Sequence, residues 1–180
     1  DECIKGREMN QNENHVCPVE KAGGLDSKFR RWLQNPFEIL KPFVKEGMKV
    51  LDVGCGPGFF SIAAAEMVGD KGQVIAADLQ DGMLDIIRNK IKDTELEKII
   101  LLHKCEKDQI GYSGDVDFII AFYVIHEIPD QVALLNELYS ILKPGGQILI
   151  VEPKLFHVSK KEFKKTIGFA EEAGFRLIDT

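Results

Sequence analysis

The sequence predicts an α/β fold in which a doubly wound, mostly parallel sheet carries helices on both faces. Short apolar segments alternate with segments whose apolar residues recur at helical spacing, which is the pattern of βαβ units. The segment Asp115–Phe122 is almost wholly apolar, as expected for a parallel strand buried on both faces. A chain of 180 residues with 44% hydrophobic and 29% charged residues fits one such domain.

The first 27 residues are rich in Asn, Glu, Gly and Lys and contain few apolar residues. We therefore predict that 1–27 is a mobile segment or lid and that the folded domain spans 28–180. His15 and Cys17 could ligate a soft metal, but no second ligand pair accompanies them. No metal site is predicted.

The next segment contains the first predicted helix. Phe29 and Trp32 lie on an amphipathic stretch and either join the core or cover a ligand. Asn35 and Pro36 form the sequence of an N-cap followed by a first helical position. Pro42 is expected to end that helix early.

A glycine-rich turn follows the first apolar strand. The strand ends at Asp52 and runs through Gly54, Gly56 and Gly58 into a helical pattern. Glycine tolerates positive φ and lets backbone N–H groups and a helix N-terminus approach a small polar ligand. The dinucleotide fingerprint needs its third glycine where Phe59 stands, and no Gly-Lys-Ser/Thr of a P-loop follows.

Asp78 ends the second apolar strand, 26 residues after the acid that precedes the glycine turn. In a βαβ unit this position lies beside the end of the first strand, where a carboxylate can accept both hydroxyls of a ribose. Asp81 is the better candidate for capping the helix that follows. Asp78 is therefore predicted to bind a ribose.

The rest of the chain continues the alternation of helices and strands. Periodicity and turn residues predict two helices, three strands and a turn before a final helix and strand. The predicted segments are a helix through Met83–Ile91, strands at Ile99–Leu102 and Asp115–Phe122, a helix through Leu134–Leu142, a turn at Lys143–Gly146, a strand at Gln147–Val151, a helix through Phe163–Ala170 ended by Gly174, and a strand at Phe175–Ile178.

Four features together resemble the class I S-adenosylmethionine (SAM)-dependent methyltransferases, over residues 36–180. They are the glycine turn, Asp78, the His126-Glu127 segment after the fourth strand and the turn Leu142–Gly146. The general appearance is nearest to small-molecule methyltransferases such as quinone-biosynthesis and arsenite enzymes. The resemblance implies a Rossmann-like fold, SAM as cofactor with S-adenosylhomocysteine as product, and a small-molecule methyl acceptor.

The resemblance also implies a set of cofactor-binding residues. Asp52 would orient the methionine amino group, and either Cys105 or Glu106 would face the adenine. The implied cofactor-binding residues are Asp52, Gly54, Cys55, Gly56, Gly58, Asp78, Leu79, Cys105, Glu106 and Ala121. The family fold closes with a final antiparallel strand, for which no residues are left before Thr180; this strand is expected to be missing, which makes a homo-oligomer possible.

The implied reaction is in-line methyl transfer, which needs a base only if the acceptor carries a proton. His126 is the candidate catalytic residue because its pKa lies near neutrality and it follows the fourth strand. The alternative is that His126 is a packing residue. Tyr123, Glu127, Glu152 and His157 are weaker candidates for acceptor contacts.

Composition restricts the partners and the location. A net charge of −6 and a pI near 5.3 argue against a nucleic-acid partner, and the lysines at 160, 161, 164 and 165 fit the solvated face of a helix. No apolar run reaches the length of a membrane span, and the polar start lacks a signal-peptide core. A cytoplasmic location with reduced thiols is predicted.

Two alternative functions stay open at this stage. A non-catalytic SAM-binding domain would keep the glycine turn and Asp78 without an acceptor pocket. A thiol-dependent arsenite methyltransferase would need Cys17 and Cys105 to meet with Cys55 or Cys3. The glycine spacing disfavours a nucleotide-dependent oxidoreductase.

Overall fold

A computed structural model describes residues 35–153 and 158–178 of the chain. Several expectations lie outside the described residues. These are the lid at 1–27, the start of the domain at residue 28, the His15 and Cys17 pair, the aromatic residues Phe29 and Trp32, Cys3, and His157.

The described part is a parallel sheet with connecting helices, which confirms the predicted fold class. The strand order is β3-β2-β1-β4-β5, and every paired neighbour is parallel. The strands are β1 Lys49–Val53, β2 Gln73–Asp78, β3 Ile100–Lys104, β4 Val116–Phe122 and β5 Leu142–Val151; the helices are α1 Pro36–Leu40, α2 Phe59–Val68, α3 Asp81–Ile91, α4 Gln131–Ile141 and α5 Lys160–Ala173, with 3-10 turns at Glu95–Lys98 and Ile125–Glu127.

The core lies on both faces of the sheet. Val50 and Leu51 are neighbours in β1, yet they belong to different apolar clusters because successive strand residues point to opposite faces. Phe60 of α2 and Ile87 of α3 complete one cluster, and Leu135 of α4 belongs to the other. Helices therefore cover both faces, as predicted, and the strand order reverses between β1 and β4, where open α/β sheets bind ligands.

Helix ends follow the predicted caps with one exception. The Asn35 side chain accepts from the N–H of Phe37 at 3.1 Å, and α1 ends before Pro42. Asp81 was predicted to cap α3, and this was wrong: Gln80 is the N-cap and Asp81 is the first helical residue. The N–H of Gln80, just before this helix, donates to the carboxylate of Asp78 at 2.8 Å. The carboxylate of Asp81 forms an ion pair with Lys104.

The predicted turn at Lys143–Gly146 lies within β5 as a bulge. Leu142 pairs with Val116 and Gln147 pairs with Phe118, so five positions along β5 oppose two along β4. The surplus residues loop outward, which agrees with the turn chemistry of the Lys-Pro-Gly-Gly sequence.

The predicted sixth strand at 175–178 was wrong, since these described residues form no strand. The N–H of Phe175 donates to the carbonyl of Ala170 and closes α5 around Gly174, whose φ is +110°. Leu177 and Ile178 are 48% and 76% exposed. A strand needs a neighbour for its ladder hydrogen bonds, and no described strand pairs with this segment.

Two absences and one surface feature characterise the described residues. The described sheet contains no antiparallel strand, in line with the expected absence of the closing strand. None of the described helices is both long and apolar enough to cross a bilayer. The lysines at 160, 161, 164 and 165 are exposed along α5, as expected of a solvated helix face.

Candidate active site

The glycine turn between β1 and α2 uses its three glycines in two different ways. All three have positive φ, of +64° at Gly54, +51° at Gly56 and +87° at Gly58. A Cβ on Gly54 would stand 2.5 Å from Cγ2 of Val124, and one on Gly58 would stand 2.9 Å from Cγ1 of Ile87. At Gly56 nothing lies within 4 Å of that position. Gly54 and Gly58 therefore allow close packing, whereas the backbone at Gly56 borders open space.

Asp78 is tied directly to this turn. Its Oδ2 accepts from the N–H of Gly56 at 2.9 Å, and its Oδ1 accepts from the N–H of Gln80 at 2.8 Å. The residue is only 6% exposed, and burial raises the pKa of its carboxyl although both N–H groups and the charge of Lys104 oppose that rise. Each carboxylate oxygen has a second lone pair, so the group can still accept from a diol.

Asp52 lies beneath the turn. It is 2% exposed, and its Oδ2 accepts from the hydroxyl of Ser61 at 2.5 Å, which joins the end of β1 to α2. Ser61 is itself fully buried. The predicted contact of Asp52 with the methionine amino group stays a prediction.

Two cysteines extend the sheet on either side of β2. The N–H of Cys55 donates to the carbonyl of Ala77, and the N–H of Cys105 donates to that of Asp78, each at 3.0 Å. Both thiols are buried; burial raises the pKa of Cys105 to about 12 and that of Cys55 well above its usual value. The arsenite alternative also requires Cys17, which lies outside the described residues.

The remaining predicted cofactor contacts border the same edge of the sheet. Leu79 follows Asp78 directly and is half-buried, and its carbonyl accepts from the ammonium of Lys104. Glu106 is exposed and follows the buried Cys105. Ala121 is fully buried near the end of β4 and pairs with Val53 of β1.

His126 forms a closely bonded pair with Glu152. Its Nδ1 donates to Oε2 of Glu152 at 2.5 Å, and its backbone N–H donates to Oε1 at 3.1 Å. The Glu152 side chain is only 3% exposed. This hydrogen bond and the charge of Glu152 raise the pKa of His126 against the effect of burial.

The hydrogen-bonded pair of His126 and Glu152 was not predicted from the sequence, where Glu152 was only a candidate for contacts with the methyl acceptor. The signal was present, since each residue follows one of two adjacent parallel strands and the ends of those strands meet at one edge.

Two further residues on the segment after β4 have unusual properties. Tyr123 has φ +60°, a left-handed conformation that is uncommon for a residue with a side chain. Glu127 is half-buried on the 3-10 turn. Burial raises its pKa to about 7; the charge of His126 opposes this rise, and those of Glu152 and Asp78 add to it.

Comparison with known proteins agrees with this geometry. The family model described as "Methyltransferase domain" matches residues 44–173. Demethylmenaquinone methyltransferases of Listeria welshimeri and Bacillus velezensis are 30% and 32% identical over 122 and 130 residues, which cover 68% and 71% of this chain and 51% and 55% of theirs. The chain thus spans about half the length of the curated relatives it matches.

A solved structure extends the comparison to nearly the whole fold. A SAM-dependent methyltransferase from Aquifex aeolicus superposes with a TM-score of 0.77 and 32% identity over 89% of this chain and 90% of that one. The residues here fit the same cofactor, because a buried carboxylate with spare acceptor capacity lies beside an open cradle at Gly56. The chain therefore belongs to the methyltransferase-domain family, within the class I SAM-dependent methyltransferases.

Proposed function

We propose that this chain is a SAM-dependent methyltransferase that acts on a small molecule by in-line methyl transfer. The hydrogen bond between Gly56 and Asp78 is the observation that carries the proposal, because it joins the glycine cradle to the buried carboxylate. SAM supplies a methyl group on a sulfonium, which a nucleophile displaces. The protein's contribution is to bind and orient the two reactants.

Within this proposal, the cofactor-binding residues divide between the parts of SAM. Asp78 accepts from the ribose hydroxyls, which supply the two donors that an acceptor-only carboxylate needs. The open backbone at Gly56 borders the methionine part, and Asp52 favours its ammonium by charge. Cys105 or Glu106 lies toward the adenine. The fully buried Ala121 contributes backbone rather than an exposed side chain.

His126 is proposed as the base for an acceptor that loses a proton. Glu152 engages Nδ1 and the backbone N–H together, which fixes the ring and directs proton acceptance to Nε2. Since the hydrogen bond to Glu152 raises the pKa of His126, the imidazole must first lose its proton. Activity through His126 should therefore increase with pH through the raised pKa.

The curated relatives suggest the first acceptor to test. They are named demethylmenaquinone methyltransferases, and we propose the reduced form of that quinone as a candidate acceptor. An electron-rich ring carbon would gain the methyl group and release its proton to the base. The ring of Phe122 contacts that of Tyr123 after β4, with centroids 4.5 Å apart, and these two aromatic side chains support an aromatic acceptor.

The experiment is an acceptor screen that measures release of S-adenosylhomocysteine, with reduced demethylmenaquinone included. We expect turnover with one acceptor class and a loss of about a hundredfold or more in kcat for His126→Gln, with SAM affinity unchanged. SAM binding without turnover for any acceptor would favour the non-catalytic alternative. Full activity of His126→Gln would assign His126 to packing. The cytoplasmic location and homo-oligomeric state stay predictions.

A further inference from the structure

The residue that precedes the 3-10 turn Ile125–Glu127 is packed directly against the glycine turn. A Cβ on Gly54 would overlap the side chain of Val124, so the residue that precedes this 3-10 turn is packed onto the backbone of the glycine turn. The N–H of Glu127 donates to the carbonyl of Val124 at 3.0 Å, which fixes Glu127 to the same contact. The backbone of Glu127 is therefore held next to the contact with the glycine turn, and the charge of Asp78 acts on its carboxylate.

The carboxylate of Glu127 is half-buried and has no hydrogen-bond partner among the residues that the structure describes. The charged groups that act on it are His126 on the same turn, Glu152 after β5 and Asp78 at the end of β2. Asp78 and Glu152 each accept two hydrogen bonds from described residues. Of these three carboxylates, Glu127 alone has no hydrogen-bond donor among the described residues, and a partly buried negative charge favours a nearby cation.

We propose that Glu127 distinguishes the cationic methyl donor from its neutral demethylated product. This inference rests on the proposed function, and specifically on SAM as the cofactor. SAM and S-adenosylhomocysteine share the adenine, ribose, amino and carboxyl groups and differ in one methyl group and one positive charge. The sulfur connects the ribose to the methionine part, so it belongs beside the hydrogen-bonded pair of Asp78 and Gly56, where Glu127 supplies a negative charge.

The consequence is selective retention of the donor and easier release of the product. A half-buried carboxylate attracts the sulfonium because water screens their charges only in part. It has no comparable attraction to a neutral thioether, so it favours the donor over the product. The ionisation of Glu127 lies near pH 7, so donor selectivity increases as the pH rises through that range. Hydrogen bonds to groups that both ligands carry, such as the ribose hydroxyls, cancel when the ratio of the two affinities is taken.

The test measures dissociation constants of SAM and S-adenosylhomocysteine by calorimetry for the wild type, Glu127→Gln and Glu66→Gln. Glu66 is exposed on α2, so its variant removes the same charge away from the site. In Glu127→Gln we expect the preference for SAM over S-adenosylhomocysteine to fall about tenfold at about pH 8, with S-adenosylhomocysteine affinity nearly unchanged. In Glu66→Gln the preference should be unchanged.

A pH series separates Glu127 from its neighbour His126. Between about pH 6 and about pH 8 the preference for SAM should rise in the wild type and stay flat in Glu127→Gln. A rise that persists in Glu127→Gln would assign the effect to His126 and overturn the inference, as would an unchanged preference at pH 8. If neither ligand binds the wild type, the proposed cofactor site itself fails, which is a distinguishable result.

Discussion

Replacing Glu152 by Gln tests the bonded pair beside the proposed site. The substitution keeps the shape of the side chain and one oxygen that can accept from the backbone N–H of His126, but it removes the negative charge. The bond to Nδ1, at 2.5 Å in the wild type, then loses its charged acceptor. We expect the pKa of His126 to fall toward its ordinary value, because this bond is the largest cause of its rise.

The magnitude follows from the burial of the pair. Glu152 is 3% and His126 is 25% exposed at the side chain, so solvent screens their interaction only in part. A hydrogen bond to a charged group contributes about 1.5–3 kcal/mol to stability, and each unit of pKa shift corresponds to about 1.4 kcal/mol. We expect Glu152→Gln to lower the free energy of unfolding by about 1–2 kcal/mol while His126 is protonated.

The pH dependence gives this prediction a sign. The pKa of His126 is raised in the folded state, so the stabilisation is complete below the unfolded value of about 6.5 and is lost as the pH rises through the folded value. The difference in stability between wild type and Glu152→Gln should therefore be largest at about pH 6 and shrink above the folded pKa.

Proton NMR titration of the His126 ring is the assay, with chemical denaturation at several pH values. The chain has four histidines, and a His126→Gln spectrum assigns the signal. Glu66→Gln is the matched control, because it removes an exposed carboxylate from α2. The same His126 pKa in wild type and Glu152→Gln would refute the reasoning.

Two further predictions concern the glycine turn and the thiols. Gly54→Ala adds a methyl group 2.5 Å from Val124 at φ +64° and should lower the free energy of unfolding by about 3 kcal/mol, whereas Gly56→Ala, with nothing within 4 Å, should cost only about 1 kcal/mol of backbone strain. Equal losses in chemical denaturation would contradict this difference. Cys55 and Cys105 should resist iodoacetamide in the folded protein at about pH 8, because burial keeps both thiols protonated. Rapid labelling detected by peptide mapping would count against that environment.

Local patterns were sufficient to predict the local structure of the first half of the candidate site. The strand that ends at Asp52, the glycine turn and the acid at Asp78 are encoded by contiguous apolar runs and by glycines that adopt positive φ. Parallel pairing of β1 and β2 then brings the turn and Asp78 together, as the βαβ rule requires.

Features that depend on non-local pairing were harder to predict. The contact between His126 and Glu152 exists because β4 and β5 are neighbours in register, which no local pattern specifies. The segment 175–178 has an apolar strand composition, but strand formation requires a partner edge that composition cannot supply. Asp81 loses its predicted capping role because Asp78, fixed by the sheet, already accepts from Gln80.

Binding of SAM to the intact chain tests the central claim most directly. Calorimetry should give a dissociation constant in the micromolar range for the wild type and for Asp81→Asn, a matched control that alters an exposed carboxylate on α3. Asp78→Ala and Gly56→Val, each verified as folded by thermal unfolding, should abolish binding. Normal SAM affinity in both of these variants would contradict the assignment of the glycine turn and Asp78 as the cofactor site.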